Sequence, residues 1–223
     1  MNKRKMNDRD QNTILVFDLE TTGLTPKNKS YKDLNKWPHI VQISWVLFDL
    51  NNLKIISIQD YIIKCPIKIP SQSTKIHKIS DDISQKQGKE LDLVMDLFEK
   101  DVNQCNLVIA HNIAFDKSVY IAESLRKDKT NPFLNKTCYC TMMNNIKLCN
   151  IKAISISGKQ YTKYPKLIEL HNHIFKISDI DQYNLHNSLV DVILCLKCYI
   201  KLNLGIDIVD KNKELKNLLK IRN

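Results

Sequence analysis

The stretch Phe17-Asp18-Leu19-Glu20-Thr21-Thr22-Gly23-Leu24 decides how this chain is read. It continues the apolar run Ile14-Leu15-Val16-Phe17, whose β-rich composition marks a short buried strand, closed by Gly23 and Pro26. Side chains two apart on a strand share a face, so Asp18 and Glu20 project together from the end of an apolar element. Adjacent carboxylates repel, and a hydrophobic core gives no reason to hold them side by side. A hard divalent cation with oxygen ligands removes that repulsion. For Asp-x-Glu taken alone, a strand end turning into solvent is the more ordinary account.

Working outward, the 223 residues suit one domain with a full core. Charge is lopsided: 34 Lys+Arg against 24 Asp+Glu give a formal net charge of +10, which favours a polyanionic partner. Between residues 129 and 168 stand Lys129, Lys136, Lys147, Lys152, Lys159, Lys163 and Lys166 with no acid among them, and residues 61 to 80 hold four Lys and no acid. Such stretches suit either a phosphate backbone or a solvated face. Seven Cys, an odd number, follow an N-terminus that is polar and charged rather than signal-like, so an intracellular, reducing compartment is expected. Cys138-x-Cys140 and Cys195-x-x-Cys198, with His171-x-His173, invite a zinc reading, but the second pair falls in an apolar helical pattern where free Cys is usually a small core residue. No apolar run approaches the ~20 residues that span a bilayer, so no membrane association is expected.

In chain order, residues 1–12 form a basic arm with Lys3, Arg4, Lys5 and Arg9, and Pro26 to Pro38 form a polar loop. Ile40 to Asp49 and Leu53 to Cys65 read as a strand hairpin around Asp49-Leu50-Asn51-Asn52. Pro66 to Ser84 is expected to be loop, Lys89 to Val102 a helix, Leu107 to Ala110 a buried strand, and Phe115 to Arg126 a helix. Thr137 to Met142 reads as a short strand and Lys152 to Lys163 as an excursion of two short strands around Gly158. Helices over Lys166 to Phe175 and Ser188 to Leu202 follow, the latter with Ser188 as N-cap. Residues 204–223 form a basic tail that docks or frays. Strands first in a hairpin and later alternating with helices predict an α/β fold: a mixed sheet flanked by helices.

Each of the remaining acids has an ordinary explanation taken singly. Asp116 favours the N-terminal end of its helix, and Ser188-x-x-Asp191 looks like a capping box. His186 lies five residues before Asp191, a turn of about 500°, so it belongs to the loop before the helix if the two are to meet. Taken together, the order Asp18-x-Glu20, then His111-Asn112-Ile113-Ala114-Phe115-Asp116, then His186-Asn187-Ser188-Leu189-Val190-Asp191 resembles the DEDDh exonucleases. Ile76-His77-Lys78-Ile79-Ser80 is similar to that family's His-Gly-Ile-Thr segment, with Lys78 in place of the glycine. The resemblance covers roughly residues 13–203. Tyr164-Pro165-Lys166-Leu167-Ile168-Glu169-Leu170 is similar to a segment of exonucleases from large DNA viruses, and the Asn-, Lys- and Ile-rich composition suits an AT-rich genome.

The resemblance implies a ribonuclease H-like fold with a five-stranded mixed sheet over 13–203 and a 3′-to-5′ exonuclease activity releasing nucleoside 5′-monophosphates. It implies two Mg²⁺ or Mn²⁺ ions about 3.5–4 Å apart among Asp18, Glu20, Asp116 and Asp191. His186 is then the general base, its ordinary pKa near 6.5 suiting neutral pH. Thr21, Thr22 and Leu24 inherit contacts to the terminal nucleotide, and Asn112 a role in orienting the second motif or contacting phosphate. The implied partner is nucleic acid with single-stranded or frayed 3′ ends, DNA favoured over RNA, in proofreading or repair. An exoribonuclease, or a polymerase-associated module in which catalysis is incidental, are the alternatives; a polymerase partner fits either, and monomer and homodimer are equally compatible.

Overall fold

Strand β1, Thr13–Thr21, is the axis of the sheet: every residue from Thr13 to Phe17 is buried. A computed structural model describes residues 12–28, 30–177 and 186–221; apart from Asn12, the basic arm lies outside them. β1 pairs antiparallel with β2 (Ile40–Asp49), which pairs antiparallel with β3 (Lys54–Ile62). On its other side β1 runs parallel to β4 (Leu107–Ala110), and β4 parallel to β5 (Thr137–Cys140). The five-stranded mixed sheet is therefore ordered β3-β2-β1-β4-β5, the α/β architecture expected from the sequence. A separate two-stranded sheet pairs β6 (Lys152–Ile154) with β7 (Gln160–Thr162), matching the excursion expected around Gly158.

Ten α-helices are described, besides a 3-10 turn over Leu34–Lys36: α1 (Ser71–His77), α2 (Asp81–Gln87), α3 (Leu91–Val102), α4 (Ile113–Arg126), α5 (Thr141–Asn144), α6 (Ile146–Cys149), α7 (Leu167–Phe175), α8 (Ser188–Leu204), α9 (Ile208–Lys211) and α10 (Lys213–Ile221). Alternation along β1 divides the core. Leu15, Phe17 and Leu19 join Ile43, Trp45 and Leu47 against α3 and α4, with Phe17, Phe98, Tyr120 and Phe133 in mutual ring contact. Ile14 and Val16 face the other way, onto Val190, Ile193 and Leu194 of α8. Asp18 and Glu20 continue this second set, so the period of two that builds the core also aims both acids toward the start of α8.

Several expectations are corrected. Residues 66–84 are not loop: they carry α1 and α2, short helices without a long apolar stripe for periodicity to detect. The fifth strand ends at Cys140, where α5 begins. The N-cap of α8 is Asn187, whose side chain accepts from the Val190 N–H, rather than Ser188. Ser188 is instead buried, its hydroxyl against that of Ser44 and its N–H donated to Gln42 Oε1, which fixes the head of α8 to β2. The C-terminal segment docks: Ile208, Val209, Leu215 and Leu219 join the α8 face of the core.

The loop after β1 is tied down by a buried charge cluster. Glu123 of α4 accepts from His39 Nδ1 at 2.9 Å and from the Ile40 N–H, and pairs with Arg126 at 3.0 Å. Arg126 donates in turn to the carbonyls of Trp37 and Pro38, and Trp37 stacks on Tyr31 with ring centroids 4.5 Å apart. His39 then closes on Thr22 by two backbone-directed bonds of 2.9 Å. Burial alone would raise the Glu123 carboxyl, but the His39 hydrogen bond and the Arg126 charge hold it below its ordinary range. A depressed carboxyl contributes stability that is present at neutral pH and lost as pH falls through the acid range. Glu123→Ala is expected to cost about 3 kcal/mol, because it strands a buried guanidinium. A urea-melt difference below roughly 1 kcal/mol would show that solvent replaces the pair.

Candidate active site

Asp18 and Glu20 at the end of β1 and Asp116 and Asp191 in the first turns of α4 and α8 converge at the carboxyl end of the sheet's central strand. Asp116 is only 3% exposed, and its Oδ1 accepts the Leu19 N–H at 3.2 Å, so the second and first motifs are joined directly. Asp191 Oδ2 accepts the N–H of His186 at 3.3 Å. That bond is made because His186 stands outside the helix in the left-handed region, φ 65°, an unusual conformation for a non-glycine residue. Glu20, His186 and Asp191 each offer one ligand atom within 4.8 Å of the others.

The electrostatics of this cluster are severe. Burial, then the neighbouring Asp116, Asp191 and Glu20, push Asp18 well above the usual carboxylate range. Glu20 is pushed up to about 8 by burial and by Asp191 and Asp116. Burial raises Asp116 to about 8 and Asp191 to about 7. Among the described residues no Lys or Arg forms an ion pair with any of the four. Four hard oxygen donors, gathered without an internal counter-charge, suit a divalent cation of the Mg²⁺ or Mn²⁺ type. His186 moves the other way: burial, with the positive charges of Lys166 and Lys78, lowers its pKa and keeps the ring neutral at pH 7.

Two clefts flank the cluster. One, of about 530 Å³, is lined by Asp18, Asn112, His186 and Asp191 together with His111, Tyr164 and Lys166. The other, of about 600 Å³, is lined by Glu20, Thr21, Thr22, Leu24, Ser73 and His77. Thr21 and Thr22 are buried, and their hydroxyls serve the loop itself: Thr21 Oγ1 donates to the Gly23 carbonyl and Thr22 Oγ1 accepts from the His39 N–H. Leu24 is the opposite, 86% exposed at the mouth of the second cleft. Asn112 is the N-cap residue of α4 in a left-handed conformation, without a side-chain capping bond.

Sequence reading missed how much of the second cleft comes from α1. Ser73 Oγ donates to the Thr22 carbonyl at 2.9 Å, and His77 is buried with Nδ1 accepting the Ile79 N–H at 3.1 Å. No helix-start signature marks α1: Pro70 is the N-cap residue and supplies no side-chain cap. Lys78, in place of the glycine expected by resemblance, is the left-handed C-cap of α1 at φ 63°, a position glycine favours because it has no Cβ.

Raised carboxyl pKa values mean that the folded chain binds more protons than the unfolded one between about pH 4 and pH 8, so cation-free stability must fall as pH rises through that window. The melting temperature in chelator is expected to be higher at pH 6 than at pH 9, with Asp116→Asn raising it at pH 9 by about 5 °C. Mg²⁺ should raise it at pH 8 in the wild type and not in Asp18→Ala. A cation-free melting curve independent of pH would refute the shared charge.

Comparison with known proteins agrees with this geometry. The exonuclease family RNase T matches residues 15–199. The DNA polymerase III subunit epsilon of Buchnera aphidicola subsp. Schizaphis graminum is 25% identical over 205 residues, 92% of this chain and 80% of that protein. Escherichia coli exonuclease I in complex with a dT13 oligonucleotide shares the fold at a TM-score of 0.63 and 14% identity, over 93% of this chain and 46% of that one. The zinc-bound form of the E. coli exonuclease I complex with single-stranded DNA gives 0.63 at 15% identity, over 90% and 42%. The chain thus spans less than half the length of these exonuclease I structures. With the family matched across most of its length and the four acids and histidine of the DEDDh type in order, the chain belongs to the RNase T family of 3′-to-5′ exonucleases.

Proposed function

We propose that the chain hydrolyses single-stranded or frayed 3′ ends of DNA to nucleoside 5′-monophosphates, in proofreading or repair. The observation that carries this reading is the convergence of Asp18, Glu20, Asp116 and Asp191, with no ion-pair partner among the described residues, beside a neutral His186 and between two open clefts. Two divalent ions held by those four carboxylates would polarise the scissile phosphate, acidify the attacking water and stabilise the leaving 3′-oxygen. A ring nitrogen of His186 takes the proton that the water releases, its neutral form being favoured by burial and by Lys166 and Lys78. The backbone of Thr21 and Thr22 holds the terminal nucleotide, Leu24 packs on its base, and Asn112 orients the second motif against a phosphate. DNA is favoured over RNA because the subunit epsilon relative is named as part of a DNA polymerase and the exonuclease I neighbours hold DNA. The same relative supports a polymerase as a partner.

The test is end-labelled single strands of DNA and RNA incubated with Mg²⁺, Mn²⁺ or chelator. Stepwise shortening from the 3′ end, faster on DNA and abolished by chelator, is expected. Asp18→Ala and Asp191→Ala should each remove it while leaving a cooperative melt; full activity in either would dismiss the site. His186→Ala should lower kcat by about 10²–10⁴-fold, as loss of a general base does. A variant that instead raises KM at constant kcat would make His186 a binding residue.

A further inference from the structure

The β6–β7 hairpin is absent from the catalytic reading, yet it is built onto the lip of the first cleft. Its root is half-buried: Ile151 packs against the cluster of Cys149, Leu170 and Cys198, the Lys163 N–H donates to the Ile151 carbonyl at 3.0 Å, and Lys163 Nζ pairs with Glu169 of α7 at 2.5 Å. Two residues past β7's end, Tyr164 and then Lys166 line the cleft beside Asp18 and Asp191. Between them the Pro165 carbonyl accepts from His111 Nε2 at 3.0 Å, and His111 Nδ1 accepts from the Thr141 hydroxyl at 3.0 Å. His111 immediately precedes Asn112, so the hairpin is bolted to the second motif through a neutral histidine that burial holds near pKa 4.

Beyond that root the hairpin presents what a soluble surface ordinarily hides. Ile154 is 74% exposed, Ile156 at the tip is fully exposed, and Tyr161 and Tyr164 are each about half exposed. The turn that carries the tip is well made: Gly158 takes φ 79° and donates its N–H to the Ser155 carbonyl at 2.8 Å, and the Lys159 N–H donates to Ser155 Oγ at 3.0 Å. The register places Lys159 on the face of the ribbon that carries Tyr161, and Lys152 on the other face with Ile154, its Nζ donating to Thr162 Oγ1 at 3.0 Å; neither lysine forms an ion pair with a described residue. An unpaired lysine beside an exposed aromatic ring, on a rigid arm, supplies the elements of a stacking platform for unpaired bases. Protein interfaces are depleted of lysine, whereas residues 129–168 hold seven lysines and no acid, which suits a polyanion.

We propose that the hairpin and its root, through Tyr161, Lys159 and Tyr164, bind the single strand upstream of the 3′ end, with the rings stacking on bases and the lysine meeting phosphate. The proposal rests on the nuclease reading for its direction, but its test does not need turnover. With chelator present, binding of a fluorescent single-stranded oligonucleotide of about 16 nucleotides is measured by anisotropy at several salt concentrations. Tyr161→Ala/Tyr164→Ala is expected to weaken binding about tenfold. Lys159→Gln should weaken it and flatten the salt dependence by about 0.7 in slope. All three positions are solvent-facing, and an unchanged melting temperature verifies the fold. Wild-type affinity and slope in both variants would overturn the proposal and leave the exposed face to a protein partner. Wild-type protein that binds through the hairpin yet cleaves nothing when Mg²⁺ is restored would sustain the platform and defeat the nuclease reading instead.

Discussion

Mutual repulsion among Asp18, Glu20, Asp116 and Asp191 is the constraint on which the rest of the structure depends. Each would lower its energy by moving apart or by taking up a proton, and burial sharpens the penalty because the low local dielectric strengthens every like-charge contact. The fold opposes separation with rigid parts. Asp18 and Glu20 are fixed by pairing with Ser44 and Gln42 on β2, Asp116 by the Leu19 N–H, and Asp191 by the first turn of a helix whose head is bound to β2 through Ser188. The groups that hold the acids are therefore polar and local, while the burial that makes holding them costly comes from the two apolar faces of the sheet. Local instability of this kind is a common property of functional sites, and the core elsewhere must offset it.

The two faces of β1 are not interchangeable. Leu15, Phe17 and Leu19 fill the α3–α4 side, and Ile14 and Val16 fill the α8 side until Asp18 and Glu20 take over that register. A slip of one residue would put both acids among Trp45, Phe98 and Phe133 and drive Phe17 into the α8 layer. The hydrophobic pattern thus specifies the placement of the acids as strongly as any contact of their own. The pairing shifts at Glu20/Thr21, where Thr21 lies opposite Ile40. From there the chain is controlled by His39 and, behind it, Glu123 and Arg126. Those two residues touch no part of the acid cluster, yet they determine where Thr22 and Leu24 can lie.

What was legible in the sequence follows from range. β1, β2, β4 and α8 carry enough apolar residues in a regular period to be read without a partner, and the three motifs gave the order in which their acids would meet. The short elements were not legible because their stability is tertiary. In α1, only Ser73 and His77 are buried, and Ser73 contributes through a hydrogen bond to Thr22 rather than through an apolar stripe. Ser188 looked like an N-cap because its side-chain chemistry is right for one; Asn187 took that role once Ser44 and Gln42 supplied partners for Ser188 from 144 and 146 residues away. His186 was placed outside the helix by angular geometry, and its left-handed backbone is the price of keeping its N–H on Asp191. Nothing in the linear sequence joins His111 to Pro165 or Arg126 to Trp37, since both bonds depend on how loops close.

The distribution of charge resolves an apparent contradiction: a chain with ten excess positive charges centred on four uncompensated acids. No described lysine or arginine pairs with those acids, and His186 is the group whose pKa is lowered, by burial first and then by the positive charges of Lys166 and Lys78. The pattern is a negative well with a positive rim, continued outward by Lys152 and Lys159 on the hairpin. A polyanion alone would be attracted to the rim and repelled at the centre. A polyanion arriving with small cations satisfies both regions. Lysines drawn inward to neutralise Asp18 or Asp191 would relieve the burial penalty, but they would occupy the position that a cation and a phosphate require. Separation of the two charges is consequently what permits the proposed chemistry, and salt should weaken the exposed rim far more than the buried centre, because screening acts on charges in contact with solvent.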